Sequence, residues 1–290
     1  MIVKIISDST CDLSVDLLKK YDVDILPCHI LLGDEEYEDG RNLTPEQIYN
    51  WSDVNKTTPK TSAPSMEAAI ELLRPYVEEG REIVCFSIAS GMSTSGNVMR
   101  MAAAELEAEH LVSVIDSGNL STGIGLMVIE ACVLAKEGKS AAEIVEVVEA
   151  LKPRVRASFV VDTLTYLYRG GRCSGLAAMA GSMLKIHPKI VVAEGKMVPD
   201  EKYRGKMSVV VMRYVKDMEE ELKRAKTDRV FITHSGTDET NIEEIRKYLE
   251  SLHVFSEILV TRAGGVVSSH CGPGTLGVLY ISDGGSESSI

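Results

Sequence analysis

Between residues 82 and 152, short β-branched runs and helical stretches alternate strictly: "EIVCFSI", "NVMRMAAAELEAE", "LVSVID", "TGIGLMVIEACVLAKEG" and "AAEIVEVVEALK". Sequential strand–helix–strand units of this length demand parallel neighbours in one sheet, with the crossover helices covering its faces. The same grammar opens the chain, where "IVKII" reads as a strand, "SDSTCDLS" as a loop and "VDLLKKY" as a helix. "VDILPCHILL" reads as a second strand and "GDEEYEDG" as a polar turn at a hairpin tip. Thr44-Pro45-Glu46-Gln47 combines an N-cap, a proline at the first helical position and a capping-box glutamine, so "PEQIYNWS" begins a helix. "KTSAPS" reads as a loop, and "MEAAIELLRPYVEEG" as a helix that Pro75 kinks or ends. Ser140 and Glu143 form a second capping box.

After Pro153 the pattern changes. "ASFVVDTLTYLYRGGRCSG" reads as a strand and a short helix closed by a glycine pair. "PKIVVAEGKMVPDEKYRG" reads as a hairpin around Glu194-Gly195, and "MSVVVMRYVKDMEEELKRAK" as one long amphipathic helix before alternation resumes. The expected class is therefore α/β with two domains: residues 1–153 forming a mostly parallel sheet flanked by helices, and residues 154–290 forming an α+β unit. Only the tail "DGGSESSI" has the composition of a disordered segment.

A formal net charge of -12 over 290 residues argues against a nucleic-acid partner, which calls for a basic face. The six cysteines include no CxxC pair and no leader precedes the first strand, so they read as reduced thiols of a cytoplasmic protein without a metal site. The longest apolar stretch, "GIGLMVIEACVLA", is interrupted by Glu130 and is shorter than the ~20 residues of a membrane span, so no membrane anchoring is expected.

In a doubly wound sheet ligands bind beyond the carboxyl ends of the strands. The loops expected there, "SDSTCD", "KTSAPS", "IASGMSTSGN" and "DSGNLSTG", are dense in hydroxyls, as is "SSHCGPG" from the second half. "FSIASGMSTSGNVM" runs from a strand into a helix start without the lysine of a phosphate-binding P-loop, so its anion should be one that asks for hydrogen bonds more than for countercharge. Ser93 and its neighbours are the first choice for that anion site, although any one serine serves equally well as a cap or turn former. His270 falls in what reads as a glycine-rich loop, where a histidine is either a structural donor or available for chemistry. A hydrolase triad can be drawn from Ser93, Asp116 and His270, but "GMSTS" is not the G-x-S-x-G elbow of an α/β-hydrolase. Arg169 and Arg172 flank one glycine turn, and Lys202, Arg204 and Lys206 share another loop, forming local basic clusters on an acidic chain. Such clusters are docking surfaces or solvated loop charges.

The ordered set "SDSTCDLS", "ILPCHILLGDEEYEDG", "KTSAPS", "SIASGMSTSGNV", "VIDSGNLSTGIG", "YLYRGGRCSG" and "SSHCGPGTLGV" resembles the DegV family across essentially the whole chain. The resemblance implies a bacterial fatty-acid-binding protein of two α/β domains with one acyl chain in a tunnel between them. It implies a carrier that is not itself catalytic, needs no cofactor and presents its lipid to a separate ATP-dependent fatty acid kinase. On the family's motifs, Thr61 and Ser62 would face the carboxylate, the serine after "S-G-x" is Ser93, with Thr94 beside it, and His270 matches the histidine of an "H-T-G-P-G" loop, here with Cys271 in place of threonine. Arg172 and Arg204 match basic positions associated with kinase docking. Where family members commonly continue "S-G-T-Y", this chain has Ser93-Thr94-Ser95-Gly96, which implies an altered carboxylate loop or a wider pocket beside it. A lipid-sensing regulatory protein would share the same pocket.

Overall fold

The computed structural model describes residues 2–173 and 186–284. The first half builds a four-stranded, all-parallel sheet from β1 (Lys4–Asp8), β2 (Val23–Leu26), β6 (Ile83–Ser87) and β7 (Val112–Asp116), in the order β2-β1-β6-β7. Every residue of β1 and β6 is buried, as central strands covered on both faces require. A small antiparallel sheet, β4-β3-β5, comes from β3 (His29–Leu32), β4 (Glu35–Glu38) and β5 (Lys60–Ser62). The second half forms a six-stranded mixed sheet from β8 (Val155–Val160), β9 (Ile186–Ala193), β10 (Lys196–Arg204), β11 (Ala225–His234), β12 (Glu257–Arg262) and β13 (Leu276–Ser282), in the order β10-β9-β8-β13-β11-β12.

Helices α3 (Met66–Glu78) and α4 (Ser95–Glu105) cover one face of the parallel sheet around Leu73, Met99 and Ala102. On its other face lie α1 (Val15–Tyr21), α5 (Thr122–Lys136) and α6 (Ala141–Leu151). α5 is apolar nearly all round because it packs between the two large sheets, where Ile124, Leu126 and Ile129 share one core with Val84 and Phe86 on one side and Ala157, Phe159 and Leu279 on the other. Glu130, which interrupts this apolar run, is paired with Lys226 at 2.7 Å and Arg229 at 2.5 Å, tying α5 to β11. α8 (Met207–Asp217) and α10 (Glu239–Ser251) cover the far face of the mixed sheet around Tyr214, Ile245 and Leu249. α2 (Pro45–Asn55) and α11 (Gly265–Cys271) close over the small sheet around Ile30, Ile48 and Val266.

Both capping boxes form, at Thr44–Gln47 and Ser140–Glu143. Several local expectations change. "VDILPCHILL" is two strands in different sheets, because Pro27 has no N–H to continue a ladder. "GDEEYEDG" turns at Gly33 and Asp34, becomes β4 and turns again at Asp39 and Gly40, while "KTS" of the expected loop is β5. α3 runs on past Pro75 to Glu78. The expected single helix after residue 206 breaks at Met218 into α8 and α9 (Glu219–Leu222), and its last residues enter β11. His270 belongs to the last turn of a helix, and the loop begins at Gly272, whose φ of 76° ends the helix. α7 (Thr165–Gly170) is capped by Gly171, and the hairpin turns at Glu194-Gly195 as expected. Residues 285–290 of the tail lie outside the described residues.

Candidate functional site

The parallel sheet reverses its direction of growth at β1, which has β2 on one side and β6 on the other. The loops leaving β1 and β6 therefore separate at their carboxyl ends, and this switch point is where an open α/β sheet forms a crevice. A cavity of about 400 Å³ lies there, with Thr10 after β1 and Ile88 and residues 90–94 after β6 in its wall. The remaining wall includes Thr61 and Ser62 of β5 with Ala63 after it, Cys28, Leu120, residues of α11, Arg172 and Met197 of β10. Its apolar surface is contributed by Ile88, Met92, Leu120, Met197, Val266 and Val267. Its polar surface includes Thr61, Ser62, Ser93, Thr94, Arg172 and His270. Two chemistries meet in one enclosure, which suits a ligand with an apolar body and a polar head.

The pair at the centre of the polar surface is Thr61 Oγ1 and His270 Nε2, 2.7 Å apart. Thr61 stands on β5 opposite Ile30 of β3, so the small sheet fixes its position. His270 sits one turn after Val266 and Val267, which places all three toward the cavity. Burial, reinforced by the positive charge of Arg172, pushes the His270 imidazole down to about 4, so it is neutral at neutral pH. Among the described residues its buried Nδ1 has no hydrogen-bond partner, and it abuts Gly170, where a Cβ would come within 2.3 Å of that nitrogen. A buried N–H without an acceptor is the costlier orphan, which assigns the proton to Nε2. With that tautomer Nε2–H donates to Thr61 Oγ1, which leaves the threonine proton free for another acceptor.

Ser93 and Thr94 lead into α4, with Thr94 as its N-cap residue. Ser93 Oγ lies 3.0 Å from Ser95 Oγ and accepts the Ser95 N–H at 3.3 Å. Gly96 is explained by close approach: a Cβ there would meet Ser87 Oγ of β6 at 2.6 Å. The displaced glycine of "MSTSGN" thus lets the first turn of α4 sit directly on the sheet. The hydrolase triad is not assembled. His270 Nε2 is taken by Thr61, Ser93 turns to Ser95, and Asp116 accepts the N–H groups of Ser90 and Gly118. Partial burial would raise the Asp116 carboxyl, but these donors and Lys152 bring it below the ordinary carboxylate value.

The two arginines expected at a docking surface separate. Arg204 is exposed at the end of β10, between exposed Lys202 and Lys206. Arg172 is exposed as well, but it lines the mouth of the cavity and donates from Nη1 to the Gly170 carbonyl at 2.8 Å. The polar wall is therefore not uncharged, contrary to the expectation from the loop lacking a lysine, because the cation arrives from a distant part of the chain. Sequence reasoning also missed three buried carboxylates, Asp8, Asp12 and Asp39, behind the pocket loops. Asp8 accepts the Ile88 N–H at 2.9 Å and the Thr10 hydroxyl, fixing both loops of the switch point. The available signal was an aspartate next to apolar strand residues in "IISDSTCDL", a pattern that solvent-exposed loops share. Among the described residues, no group of three His, Cys, Asp or Glu side chains is placed to hold a metal ion, and no helix is long and apolar enough to cross a membrane.

Fold and cavity together define a class: an α/β protein of two large sheets and one small one, with an amphipathic pocket at the switch point of its parallel sheet. The sequence profile described as "Uncharacterised protein, DegV family" matches residues 2–283, and the chain belongs to the DegV family. A DegV domain-containing protein of Clostridium acetobutylicum is 32% identical over 282 residues, covering 96% of this chain and 98% of its own. One from Deinococcus radiodurans is 30% identical over 283 residues, with coverage of 96% and 98%. Among solved structures, a DegV family protein from Thermus thermophilus described by its fatty acid binding superposes with a TM-score of 0.88 at 30% identity, over 97% of this chain and 100% of that one. A stearic acid-binding protein from Eubacterium ventriosum gives 0.84 at 29% identity, over 97% and 98%.

Proposed function

We propose that this protein encloses one long-chain fatty acid and presents its carboxylate to a separate fatty acid kinase, acting as a carrier in the cytoplasm and not as a catalyst. The observation that carries the reading is the cavity at the β1/β6 switch point, where a neutral His270–Thr61 pair faces the same enclosure as Ile88, Met92, Leu120 and Met197. The fatty acid and stearic acid bound by the two structural relatives support it. On this reading residues 1–153 and 154–290 are the two domains and the ligand lies between them.

A carboxylate stripped of water costs several kcal/mol unless its lone pairs are satisfied. Thr61 donates its hydroxyl proton to one carboxylate oxygen, with His270 holding the threonine oxygen from behind. Ser62, Ser93 and Thr94 add donors, and Arg172 supplies a positive charge at the mouth. The head is thereby oriented without being locked in a bidentate ion pair, which leaves an oxygen free to attack the terminal phosphoryl group of the kinase's ATP, giving an acyl phosphate and ADP. Affinity comes from the tail: at roughly 0.8 kcal/mol per buried CH₂, a sixteen-carbon chain offers on the order of 12 kcal/mol before ordering costs. Met92 and Met197 suit chains of differing shape, because the thioether side chain repacks readily.

Native mass spectrometry of the purified protein, followed by lipid analysis, tests the binding step. One fatty acid per chain is expected, and a protein that arrives empty and takes up no added fatty acid overturns the reading. The kinase step rests on Arg204, whose exposure within a basic loop of an acidic chain fits an acidic partner surface. Arg204→Glu should lower acyl phosphate formation by a fatty acid kinase while fatty acid uptake stays unchanged; equal turnover by both proteins removes Arg204 from docking.

A further inference from the structure

α11 is a poor helix by composition, opening with Gly265 after Gly264 and continuing through valines and serines, yet it carries His270. What seats it is a set of bonds to the other half of the chain. Asp12 Oδ1 accepts the Gly264 N–H at 2.8 Å, and Asp39 Oδ1 accepts the Gly265 N–H at 2.7 Å. The two carboxylates converge on this turn so closely that a Cβ on Gly264 would lie 3.2 Å from Asp12 Oδ1 and 3.3 Å from Asp39 Oδ1. Each carboxylate is itself held, Asp12 by the Ser121 hydroxyl at the start of α5 and Asp39 by the Ser9 hydroxyl at 2.8 Å. Gly265 also rests on Ile30, since a Cβ there would meet Ile30 Cδ1 at 2.5 Å. Ile30 is the register partner of Thr61.

The helix is thus tied to one small sheet at both ends. Its first turn sits on β3 beneath the two aspartates, and about 7.5 Å further on His270 reaches Thr61 on β5. A shift of the first turn transmits along so short a rigid segment with little loss, and a hydrogen bond weakens steeply with misalignment. We infer that Asp12 and Asp39 are positioning residues of the headgroup site: by accepting the N–H groups of Gly264 and Gly265 they set the seat of α11 and, through it, the His270–Thr61 hydrogen bond. This rests on the reading that a fatty acid carboxylate is received at Thr61.

Both carboxyls are raised above the ordinary carboxylate value mainly by burial, with repulsion from Asp39 and Asp8 adding to the effect at Asp12, which is raised to about 8, and repulsion from Asp8 adding to it at Asp39. An asparagine, which keeps an acceptor oxygen and adds no charge, should therefore replace either aspartate where an alanine fails. The test compares Asp39→Ala, Asp39→Asn, Asp12→Ala, Asp12→Asn and the milder Gly264→Ala. The control is Leu249→Ala, which lies in the core behind the mixed sheet. Two quantities are read: the dissociation constant for cis-parinaric acid, and the ¹⁵N shifts of the His270 ring in ligand-free protein. The alanine variants and Gly264→Ala should weaken binding by tenfold or more and move the Nε2 resonance away from its hydrogen-bonded value. The asparagine variants should stay within about threefold of wild type with the resonance in place, and Leu249→Ala should lose thermal stability and neither of the other two properties.

If an alanine variant does not fold, Gly264→Ala decides, since it displaces the turn by a few tenths of an ångström and removes no bond. Unchanged His270 shifts and affinity in Gly264→Ala or in a folded alanine variant would overturn the proposal and leave the aspartates as structural groups only. Failure of the wild type to bind cis-parinaric acid would overturn the fatty acid reading instead, while the ¹⁵N shifts still decide the positioning role.

Discussion

Helices α5 and α11 both join the two halves of the chain, and they do so by different physics. α5 belongs to the first half and is buried along its length against the mixed sheet of the second, where Ile124, Leu126, Met127, Val128 and Ile129 are wholly removed from solvent. α11 belongs to the second half and is held on the small sheet of the first by backbone N–H groups given to Asp12 and Asp39 and by a ring nitrogen engaged with Thr61. Burial along α5 is non-directional and large in sum, so it supplies stability and tolerates small shifts. The bonds of α11 are directional and individually modest, so they supply position. The interface between the halves thus divides its work, with cohesion placed in α5 and the position of the His270–Thr61 pair in α11.

Breaking α5 should therefore give the larger stability effect and the smaller functional one. Leu126→Ala leaves a cavity in the core shared by both sheets and should cost about 2–5 kcal/mol in chemical denaturation. Affinity for fatty acid, measured per folded molecule, should be unchanged; a loss of affinity as large as the loss of stability would mean that α5 shapes the site directly. Thr61→Ala strikes the other side of the comparison. It removes the donor to the carboxylate and leaves His270 Nε2–H without its acceptor, at about 1.5–3 kcal/mol for a hydrogen bond to a charged group. Calorimetric titration should show an affinity lower by roughly ten- to a hundredfold with a smaller loss of stability than in Leu126→Ala, and an unaltered affinity would take the headgroup away from Thr61.

The smallest effect sharpens the contrast through pH. His270 in the folded protein titrates at about 4, below its ordinary 6.5, because burial and Arg172 disfavour the imidazolium. The unfolded chain binds more protons between those values, so this contribution to stability is complete above pH 6.5 and is lost as pH falls through 4. Asp12 has the opposite sense. Its folded value of about 8 lies above the ordinary 3.8, mainly through burial, so its contribution is complete below 3.8 and is lost as pH rises through 8. Thermal midpoints from pH 5 to 9 should fall on the alkaline side in wild type and flatten there in Asp12→Asn, with Leu126→Ala shifted down at every pH without a change of slope. An alkaline fall that persists in Asp12→Asn would assign it to another group.

Elements with an internal signal were legible before any coordinates. The strand–helix alternation of residues 82–152 carried the parallel sheet, because a crossover of that length leaves no other pairing, and the capping boxes at Thr44 and Ser140 marked their helices through bonds made within four residues. Thr61, Ser62, Ser93, Thr94 and His270 could be named from the ordered motifs, and all five line the cavity. β5 and α11 were not legible as a strand and a helix. The three polar residues of β5 pair with β3, and the first N–H groups of glycine-rich α11 are accepted by two distant carboxylates, so the partners of both elements lie far away in sequence.

By itself, then, the sequence determined the class of the fold, the local helix starts and the identity of the polar groups available to a ligand, since each rests on periodicity or on contacts between near neighbours. Tertiary structure alone decided that Arg172 stands at the cavity mouth, that His270 is neutral against Thr61, and that Asp12 and Asp39 anchor α11. Those properties depend on burial and on hydrogen bonds between residues up to 252 positions apart. Desolvation and long-range pairing have no local pattern, and they exist only once the chain has closed around them.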